Sequence, residues 1–344
     1  MTKKTAAPRA VRAAAIGYGG AFNMGPTHLR SMLKNPGFTA AAVCDPDAKR
    51  LQQAEIDFPG IAAFKSLDQM LAANCADLAI IITPHNTHAA IALKCLAAGM
   101  DVVCEKPLAI TEAEVQAMLK AAKAKKRMLT TFHNRRWDGD FMTLRRLVRE
   151  GWIGPVFRVE AGFSGYHGQN PNWWRSDAKI SGGNIYDWGA HFTDWILSIV
   201  DDKIDHVTGM ERKNPAWAKQ YTNADHSECA IRFAKGCVST LTMSNLSMEG
   251  KPRWRVLGEE GSITDAGQNN AFLVKSLVRG RVCQTVVPFE ASDHDAFYTN
   301  IARHLQRGEP LVITPESAAR VIGVLHASVR SAAQGGKPVK PILP

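Results

Sequence analysis

Short apolar runs alternate with helix-like stretches through the first third of the chain. Each run ends at a glycine, an aspartate or a proline, or shortly before one. The apolar runs cover residues 11–16, 39–44, 78–83 and 101–104, and the helix-like stretches cover 26–33, 46–53, 66–72, 87–98 and 111–126. Because strands that alternate with helices form parallel sheets covered on both faces, this pattern predicts an α/β domain with a parallel sheet.

Two local signals predict where helices of this domain begin and end. Thr111 with Glu114 three residues later is typical of a capping box, in which each residue satisfies a free backbone N–H at the helix start. Gly99 follows the stretch 87–98, and glycine is the usual residue at a left-handed helix stop.

The pattern changes to a period of two after about residue 150. Cys229, Ile231 and Phe233 fall on one face of the segment 226–233, and 237–244 alternates in the same way. Such alternation, with glycine turns between segments, predicts an antiparallel sheet. A final helix is predicted for 314–333. The fold class is therefore α/β followed by an α+β domain, with proposed domains 1–132 and 133–344.

Composition excludes several classes of protein. The chain has 344 residues, of which 45% are hydrophobic and 22% charged, so it is neither disordered nor a small disulfide scaffold. Its apolar runs are too short to span a bilayer, and residues 1–12 lack the apolar core of a signal peptide. The seven cysteines show no CxxC or zinc-like spacing. These features predict a cytoplasmic protein with reduced thiols and no membrane partner.

The formal net charge of +10 does not indicate a nucleic-acid partner. Residues 1–132 carry 16 Lys and Arg against 10 Asp and Glu, and the remainder carries 26 against 22. The positive excess is thus spread over both parts, whereas nucleic-acid binding concentrates it in a patch. The charge favours anionic ligands, and no nucleic-acid partner is expected.

A glycine-rich turn follows the first apolar run and is a candidate dinucleotide site. Gly17, Tyr18, Gly19 and Gly20 precede a helix, where backbone N–H groups can approach a pyrophosphate. The spacing departs from GxGxxG, because Phe22 stands at the third small position and the next glycine is Gly25. A purely structural turn is the alternative interpretation.

Asp45 at the end of the second run strengthens the dinucleotide interpretation. A carboxylate there accepts hydrogen bonds from ribose hydroxyls and repels a 2′-phosphate, which favours NAD over NADP. Lys49 and Arg50 close by weaken that preference. Asp45 is also placed to cap the helix that begins near Pro46, and this role does not exclude the other.

Three further motifs resemble those of one family. They are Thr-Pro-His-Asn-Thr-His at 83–88, Glu-Lys-Pro at 105–107 and Gly-Gly-Asn-Ile-Tyr-Asp-Trp-Gly-Ala-His-Phe-Thr-Asp at 182–194. In this order, behind a glycine turn, the chain resembles the Gfo/Idh/MocA oxidoreductases over nearly its whole length. It departs from the family where His85 replaces the usual Asn, where Ser181 replaces a common glycine, and in the displaced third glycine of the turn.

The resemblance implies an NAD(P)-binding Rossmann domain followed by a domain with a large open antiparallel sheet. It also implies a homodimer or homotetramer and a sugar, polyol or related carbohydrate as substrate. By motif, Lys106, Asp187 and His191 match the catalytic positions. Residues expected at the cofactor are Gly17, Tyr18, Gly19, Gly20, Phe22, Asp45, Thr83, Pro84, His88, Glu105, Lys106 and Arg175. Residues expected at the substrate are Lys106, His167, Trp174, Asp187 and His191.

These residue types suit the oxidation of a secondary alcohol. His191 is expected to act as general acid/base because the reference pKa of histidine is roughly 6.5. The Lys106 ammonium is expected to bind the reacting oxygen and to share proton transfer, and Asp187, four residues before His191, is expected to orient the imidazole or polarise the substrate. Taken singly, they are also compatible with a surface lysine, a helix cap and a core histidine.

The remaining aromatic and histidine residues carry weaker expectations. Trp173, Trp174 and Arg175 suit stacking on a sugar or the cofactor, although a packed aromatic corner is the alternative. His85 and His88 lack a third ligand at metal-site spacing, so no metal is expected.

Two other functions share this fold and stay open at the level of sequence. One is a glycoside hydrolase that retains NAD and oxidises its substrate transiently. The other is a non-catalytic dinucleotide sensor, which would need none of the three proton-transfer candidates.

Overall fold

The structure is a computed structural model that describes residues 10–20 and 22–344. Most of the segment 1–12, on which the expectation of no signal peptide depends, lies outside the described residues.

Six parallel strands form the first sheet in the spatial order β3-β2-β1-β4-β5-β6. The strands are β1 Val11–Ile16, β2 Phe38–Cys44, β3 Ala62–Phe64, β4 Leu78–Ile81, β5 Asp101–Cys104 and β6 Leu129–Thr131. The helices between them are α1 Met24–Leu33, α2 Ala48–Asp57, α3 Leu67–Ala72, α4 His88–Ala97 and α5 Glu112–Lys125. The chain order reverses between β1 and β4, which is where open α/β sheets bind ligands.

Eight strands form the second sheet in the order β14-β13-β12-β11-β7-β10-β9-β8. Neighbours are antiparallel except β7 and β10, which run parallel. The strands are β7 Val156–Ser164, β8 Ile204–Arg212, β9 His226–Phe233, β10 Val238–Ser244, β11 Trp254–Gly258, β12 Gly261–Asp265, β13 Ala271–Val278 and β14 Arg281–Pro288. The predicted fold class is therefore confirmed.

One face of the second sheet is covered by helices and forms the larger core. The helices of the chain after β6 are α6 Gly139–Arg149, α7 Ala178–Ser181, α8 Trp188–Ile199, α9 Ala296–Arg307 and α10 Pro315–Ala333. Trp195 of α8 and Trp254 of β11 are fully buried there with ring centroids 5.4 Å apart. Because α8 begins at the edge of this core, the core sets the position of its first turn.

The last third of the chain returns to the first sheet. Phe297, Tyr298 and Ile301 of α9 are buried in the same cluster as Phe38 of β2 and Phe132 after β6. The first sheet thus completes its core with residues from far along the chain, and the division into domains 1–132 and 133–344 stays a prediction.

Local signals place several element ends correctly. Thr111 and Glu114 form the predicted capping box, and Gly99 adopts φ +84°. Strands at 11–16, 101–104 and 226–233 are confirmed at both ends. The third predicted strand stops at Ile81 rather than at residue 83, and β3 and β6 were missed because three residues show no periodicity.

No helix in the described ranges 10–20 and 22–344 is long and apolar enough to cross a membrane.

Candidate functional site

The candidate site lies where strands of the first sheet end. The glycine turn follows β1, Asp45 follows β2, Thr83 and Pro84 come after β4, and Glu105 and Lys106 follow β5. Because parallel strands end at the same edge of a sheet, residues from distant parts of the sequence gather at one crevice.

The glycine turn brings helix α1 close to the end of β1. Gly17 has φ +83°, and a Cβ there would lie 3.0 Å from the carbonyl oxygen of Ile82. A Cβ on Gly25 would overlap the carbonyl oxygen of Tyr18, so Gly25 permits the close packing of helix on strand. Gly25 therefore fills the structural role of the third glycine of the motif, which is displaced in this sequence. This role of Gly25 can be recognised only in the folded turn, because it depends on the approach of the Tyr18 carbonyl.

The N-terminus of α1 suits an anionic ligand. Asn23 stands at the N-cap with φ 51°, and no side chain among the described residues hydrogen-bonds to this end as a cap. The first backbone N–H groups of a helix carry partial positive charge and bind phosphate oxygens when they are free. The residues present therefore fit the pyrophosphate of a dinucleotide.

Tyr18 and Asp45 shape the turn from beneath. The backbone N–H of Tyr18 donates to Asp45 Oδ2 at 2.8 Å, and the buried phenol donates to Asp57 Oδ2 at 2.6 Å. Asp45 Oδ1 accepts from the N–H of Asp47 at 2.9 Å. Asp47, not Asp45, caps α2 by accepting from the N–H of Lys49. Asp45 is thus free of the capping role that its sequence position suggested.

Two cavities open beside this turn. The first has a volume of about 440 Å³ and lies against the glycine turn and the loops after β4 and β5. The second has a volume of about 370 Å³ and lies between the first turn of α8 and the loop before α7. The two cavities share four lining residues, which are Phe22, His85, Trp173 and Arg175.

Most of the residues predicted for the cofactor line the first cavity. They are Gly19, Gly20, Phe22, Thr83, Pro84, His88, Glu105, Lys106 and Arg175, together with Trp174 from the substrate prediction. His167 and Asp187 line the second cavity. Gly17, Tyr18, Asp45 and His191 are outside the described lining of both, the first three because they lie beneath or beside the turn.

Lys106 and Asp187 meet between the two cavities. Lys106 Nζ donates to Asp187 Oδ1 at 2.7 Å and to its backbone oxygen at 3.1 Å, and Arg175 Nη1 donates to the same Oδ1 at 3.0 Å. Burial alone would raise the pKa of Asp187, but the attraction of Lys106 and Arg175 outweighs it and holds that pKa well below its usual range. Asp187 is the N-cap residue of α8, yet its carboxylate accepts no capping N–H from the described residues. The negative charge of Asp187 instead pairs with Lys106 and Arg175.

His191 is buried in the first turn of α8, four residues after Asp187. Burial, and then the charges of Lys106 and His133, lower its pKa well below the ordinary value of 6.5, so the ring is neutral at pH 7. Its Nδ1 is buried without a hydrogen-bond partner in the part of the chain that the structure describes. The structure therefore brings His191 near Lys106, but within the described residues it shows no hydrogen bond between His191 and the Asp187 carboxylate.

The sequence did not predict a chain of hydrogen bonds that runs through His28 and Glu105 to the backbone of Lys106. His28 Nε2 donates to Glu105 Oε1 at 3.0 Å, and Glu105 Oε2 accepts the backbone N–H of Lys106 at 2.8 Å. The hydroxyl of Tyr298 in α9 lies 2.6 Å from His28 Nδ1. Glu105 thus positions the Lys106 backbone, and α9 supports it. No sequence signal links residues 28, 105 and 298, because they meet only through tertiary packing.

Arg175 spans the entrance between the glycine turn and the second half of the chain. Its guanidinium carbon lies 4.7 Å from the ring centroid of Trp174, 5.1 Å from that of Phe22 and 5.4 Å from that of Trp173. Cations over aromatic faces are attracted to them. The aromatic residues predicted to stack on a ligand therefore hold Arg175 in this structure. The ring centroid of Trp174 also lies 4.8 Å from that of His85.

The two histidines of the segment 83–88 have different surroundings. Both ring nitrogens of His88 lie 2.8 Å from backbone carbonyl oxygens, those of Thr83 and Pro107. His88 therefore ties the loop after β4 to the loop after β5. His85 Nδ1 lies 2.8 Å from the carbonyl oxygen of Ser181. Within the described ranges no group of three or more His, Cys, Asp and Glu side chains is placed to hold a metal ion.

Comparison with known families matches both halves of the chain. A family model described as "Oxidoreductase family, NAD-binding Rossmann fold" matches residues 11–133, and one described as "GFO/IDH/MocA C-terminal domain" matches residues 141–264.

Individual relatives cover nearly the whole chain. It is similar to scyllo-inositol 2-dehydrogenase (NADP(+)) IolW of Bacillus subtilis (strain 168), with 26% identity over 309 residues covering 82% of this chain and 84% of the relative. It is equally similar to scyllo-inositol 2-dehydrogenase (NAD(+)) of the same organism, with 26% identity covering 96% of each chain. A solved structure of an NAD-binding protein from Listeria innocua superposes with TM-score 0.85 at 25% identity and covers 97% of each chain.

The buried histidines predict that the protein loses stability in mild acid. Burial lowers the pKa of His85, His133 and His191 below 6.5, so between the folded pKa and about 6.5 the unfolded chain binds more protons. The free energy of unfolding should therefore fall as pH decreases below about 6.5, by up to about 1.4 kcal/mol per pH unit for each histidine. Urea unfolding at about pH 7 and about pH 5.5 measures this slope.

Two variants test whether the buried histidines cause this pH dependence of the free energy of unfolding. His133→Asn should make it shallower, because one buried histidine is removed, and His206→Asn at a partly exposed position of β8 is the control for removing a histidine that is not buried. A His133→Asn slope equal to that of the wild type would contradict the assignment.

Proposed function

This chain belongs to the Gfo/Idh/MocA family of NAD-binding oxidoreductases, and on that premise we propose that it moves a hydride between NAD and a secondary alcohol of an uncharged polyol or sugar. The observation that carries the proposal is the Lys106–Asp187 pair, which lies between a cavity beside the glycine turn and a second cavity of substrate size. When bound, the nicotinamide accepts or supplies the hydride.

The lining of the second cavity supports an uncharged, hydroxyl-rich substrate. Arg175 and Asp187, the charged residues in its described lining, are paired with each other at 3.0 Å. Amide side chains supply the donors and acceptors that hydroxyl groups need. These amides are Gln169, Asn170, Asn184, Asn223 and Asn245. Two relatives named as scyllo-inositol dehydrogenases support the same class of substrate.

In the proposed reaction the alcohol carbon loses a hydride and the hydroxyl loses a proton. The Lys106 ammonium donates a hydrogen bond to the reacting oxygen and stabilises its developing negative charge. Neutral His191 accepts the proton, and Lys106, which lines the first cavity and lies close enough to His191 to lower its pKa, shares the transfer. Asp187 holds Lys106 in place by accepting its hydrogen bond.

We also propose NAD rather than NADP as the cofactor. Asp45 lies at the end of β2, where its negative charge opposes a 2′-phosphate. Arg50 acts in the opposite direction, because its guanidinium lies over the turn: a Cβ on Gly19 would be 2.9 Å from Arg50 Nη1. The relatives include both NADP- and NAD-dependent enzymes, so the balance between these two side chains decides the preference.

The homodimer or homotetramer stays a prediction. It is supported by the face of the second sheet that carries Arg158, Glu160 and Arg255, which lies opposite the core residues Val159 and Val256. An open sheet face is a surface that a second copy of the chain can cover in a symmetric oligomer.

A substrate panel tests the proposed function. Purified protein with NAD is offered inositols, aldoses and glycosides while absorbance of reduced nicotinamide is followed. We expect net NADH with at least one alcohol, and His191→Asn and Lys106→Met should each lower kcat by about 10²- to 10⁴-fold. His206→Asn is the matched control and should retain wild-type kcat.

Other outcomes of the panel would contradict the proposal. Sugar release from a glycoside without net NADH would indicate the hydrolase alternative. Tight binding of NAD with no turnover of any panel compound would indicate a sensor. A His191→Asn enzyme with undiminished kcat would remove His191 from the chemistry.

Cofactor preference is tested at Asp45 and Arg50. We expect kcat/KM to be higher with NAD than with NADP, and Asp45→Ser to reduce that ratio by about tenfold or more, since 1.4 kcal/mol of lost repulsion corresponds to a factor of ten. Arg50→Ala should change the ratio in the opposite direction. A preference that neither substitution alters would show that other residues decide it.

A further inference from the structure

His85 carries an unsatisfied polar atom at the place where the two cavities meet. The residue is 3% exposed and belongs to the lining of both cavities. Its Nε2 is buried and has no hydrogen-bond partner among residues 10–20 and 22–344. A buried polar atom left unpaired costs about 1–3 kcal/mol, so such atoms in a ligand site are usually satisfied by the ligand.

The contacts of His85 define which proton its ring carries. Nδ1 lies 2.8 Å from the backbone carbonyl oxygen of Ser181, and a carbonyl oxygen can only accept. Nδ1 therefore carries the proton and donates it. Burial, and then the neighbouring His88, lower the pKa of His85 well below 6.5, so the ring is neutral. The unpaired Nε2 is consequently a hydrogen-bond acceptor with a free lone pair.

The groups around His85 indicate which kind of ligand can hydrogen-bond to its Nε2. Trp173 and Arg175 line both cavities and Asn184 lines the second, and their atoms Nε1, Nε and Nδ2 are likewise buried without partners in the described chain. All three are donors, whereas His85 Nε2 is an acceptor. A hydroxyl group both donates and accepts, so a polyhydroxylated ligand can satisfy His85 and its neighbours at once, whereas a carboxylate or phosphate cannot donate to His85.

We propose that His85 Nε2 accepts a hydrogen bond from a ligand hydroxyl at the junction of the two cavities, and so helps to select and orient the hydroxylated ligand. The inference rests on the proposed function, since it assumes a dinucleotide in the first cavity and a polyol or sugar in the second. The hydroxyl has two sources: the ribose next to the nicotinamide, or the substrate. His85 is a positioning and specificity residue, and no proton is transferred to it.

His85→Asn is the matched variant for this test. The asparagine amide can reproduce the donor at the position of Nδ1 and so keep the bond to Ser181, but it lacks an acceptor at the position of Nε2. Two quantities are compared with the wild type. They are the Kd of NADH, from energy transfer between tryptophan and the nicotinamide, and the KM of the panel alcohol that reduces NAD fastest, with its monodeoxy analogues.

Each source of the hydroxyl gives its own result. If the ribose donates, His85→Asn should weaken NADH binding by about tenfold. If the substrate donates, the Kd of NADH should stay unchanged and KM should rise by about tenfold, except for the one deoxy analogue that lacks the donating hydroxyl. Wild-type Kd and KM in the variant would overturn the inference.

A second measurement uses the wild-type protein and does not depend on the variant folding. With ¹⁵N-labelled histidine, the His85 Nε2 resonance should shift when NADH is added or when NADH and the alcohol are added together. A resonance unmoved by both would overturn the inference. Failure of the proposed function is distinct, because it appears as wild-type protein that reduces NAD with no panel alcohol while the response of His85 to NADH is still measured.

Discussion

The contact between the Lys106 ammonium and the Asp187 carboxylate is the interaction on which the site depends. Lys106 comes from the loop after β5 of the first sheet, and Asp187 from the start of α8, which packs on the second sheet. A charge removed from water is costly unless it is paired and hydrogen-bonded. The pair therefore requires both sheets to be in place, and Glu105, held by His28, positions the backbone of Lys106 from behind.

The electrostatics of the site follow from this pair. Asp187 stays ionised because Lys106 and Arg175 approach the same carboxylate oxygen. His191 stays neutral because it is buried and lies close to Lys106, His133 and Arg135, which lower its pKa. A neutral imidazole beside a fixed cation suits proton abstraction from an oxygen that the cation has already polarised. The same burial leaves polar atoms around the cavities without partners in the part of the chain that the structure describes, where a ligand can satisfy them.

Much of the architecture was predictable from the sequence because it depends on local signals. Alternating apolar runs predicted the two kinds of sheet, and the family motifs placed Lys106 and Asp187 at strand and helix ends that the structure brings together. Other features were not predictable, because they arise from tertiary approach. Gly25 is required because the carbonyl of Tyr18 leaves no room for a Cβ, and Asp47 rather than Asp45 caps α2. Tyr298 contacts His28 although the two residues are 270 positions apart in the sequence. His191 matched a motif, but only the folded chain shows that it is buried close to Lys106.

The most direct test of the central claim is a double-mutant cycle on kcat/KM with Lys106→Met, Asp187→Asn and the double variant. If Asp187 acts chiefly by holding Lys106, Asp187→Asn should lower kcat/KM strongly in the wild type but little once Lys106 is gone. The coupling free energy should then be about 1.5 kcal/mol or more. Two independent losses that multiply in the double variant would contradict the account, because the two residues would then act separately.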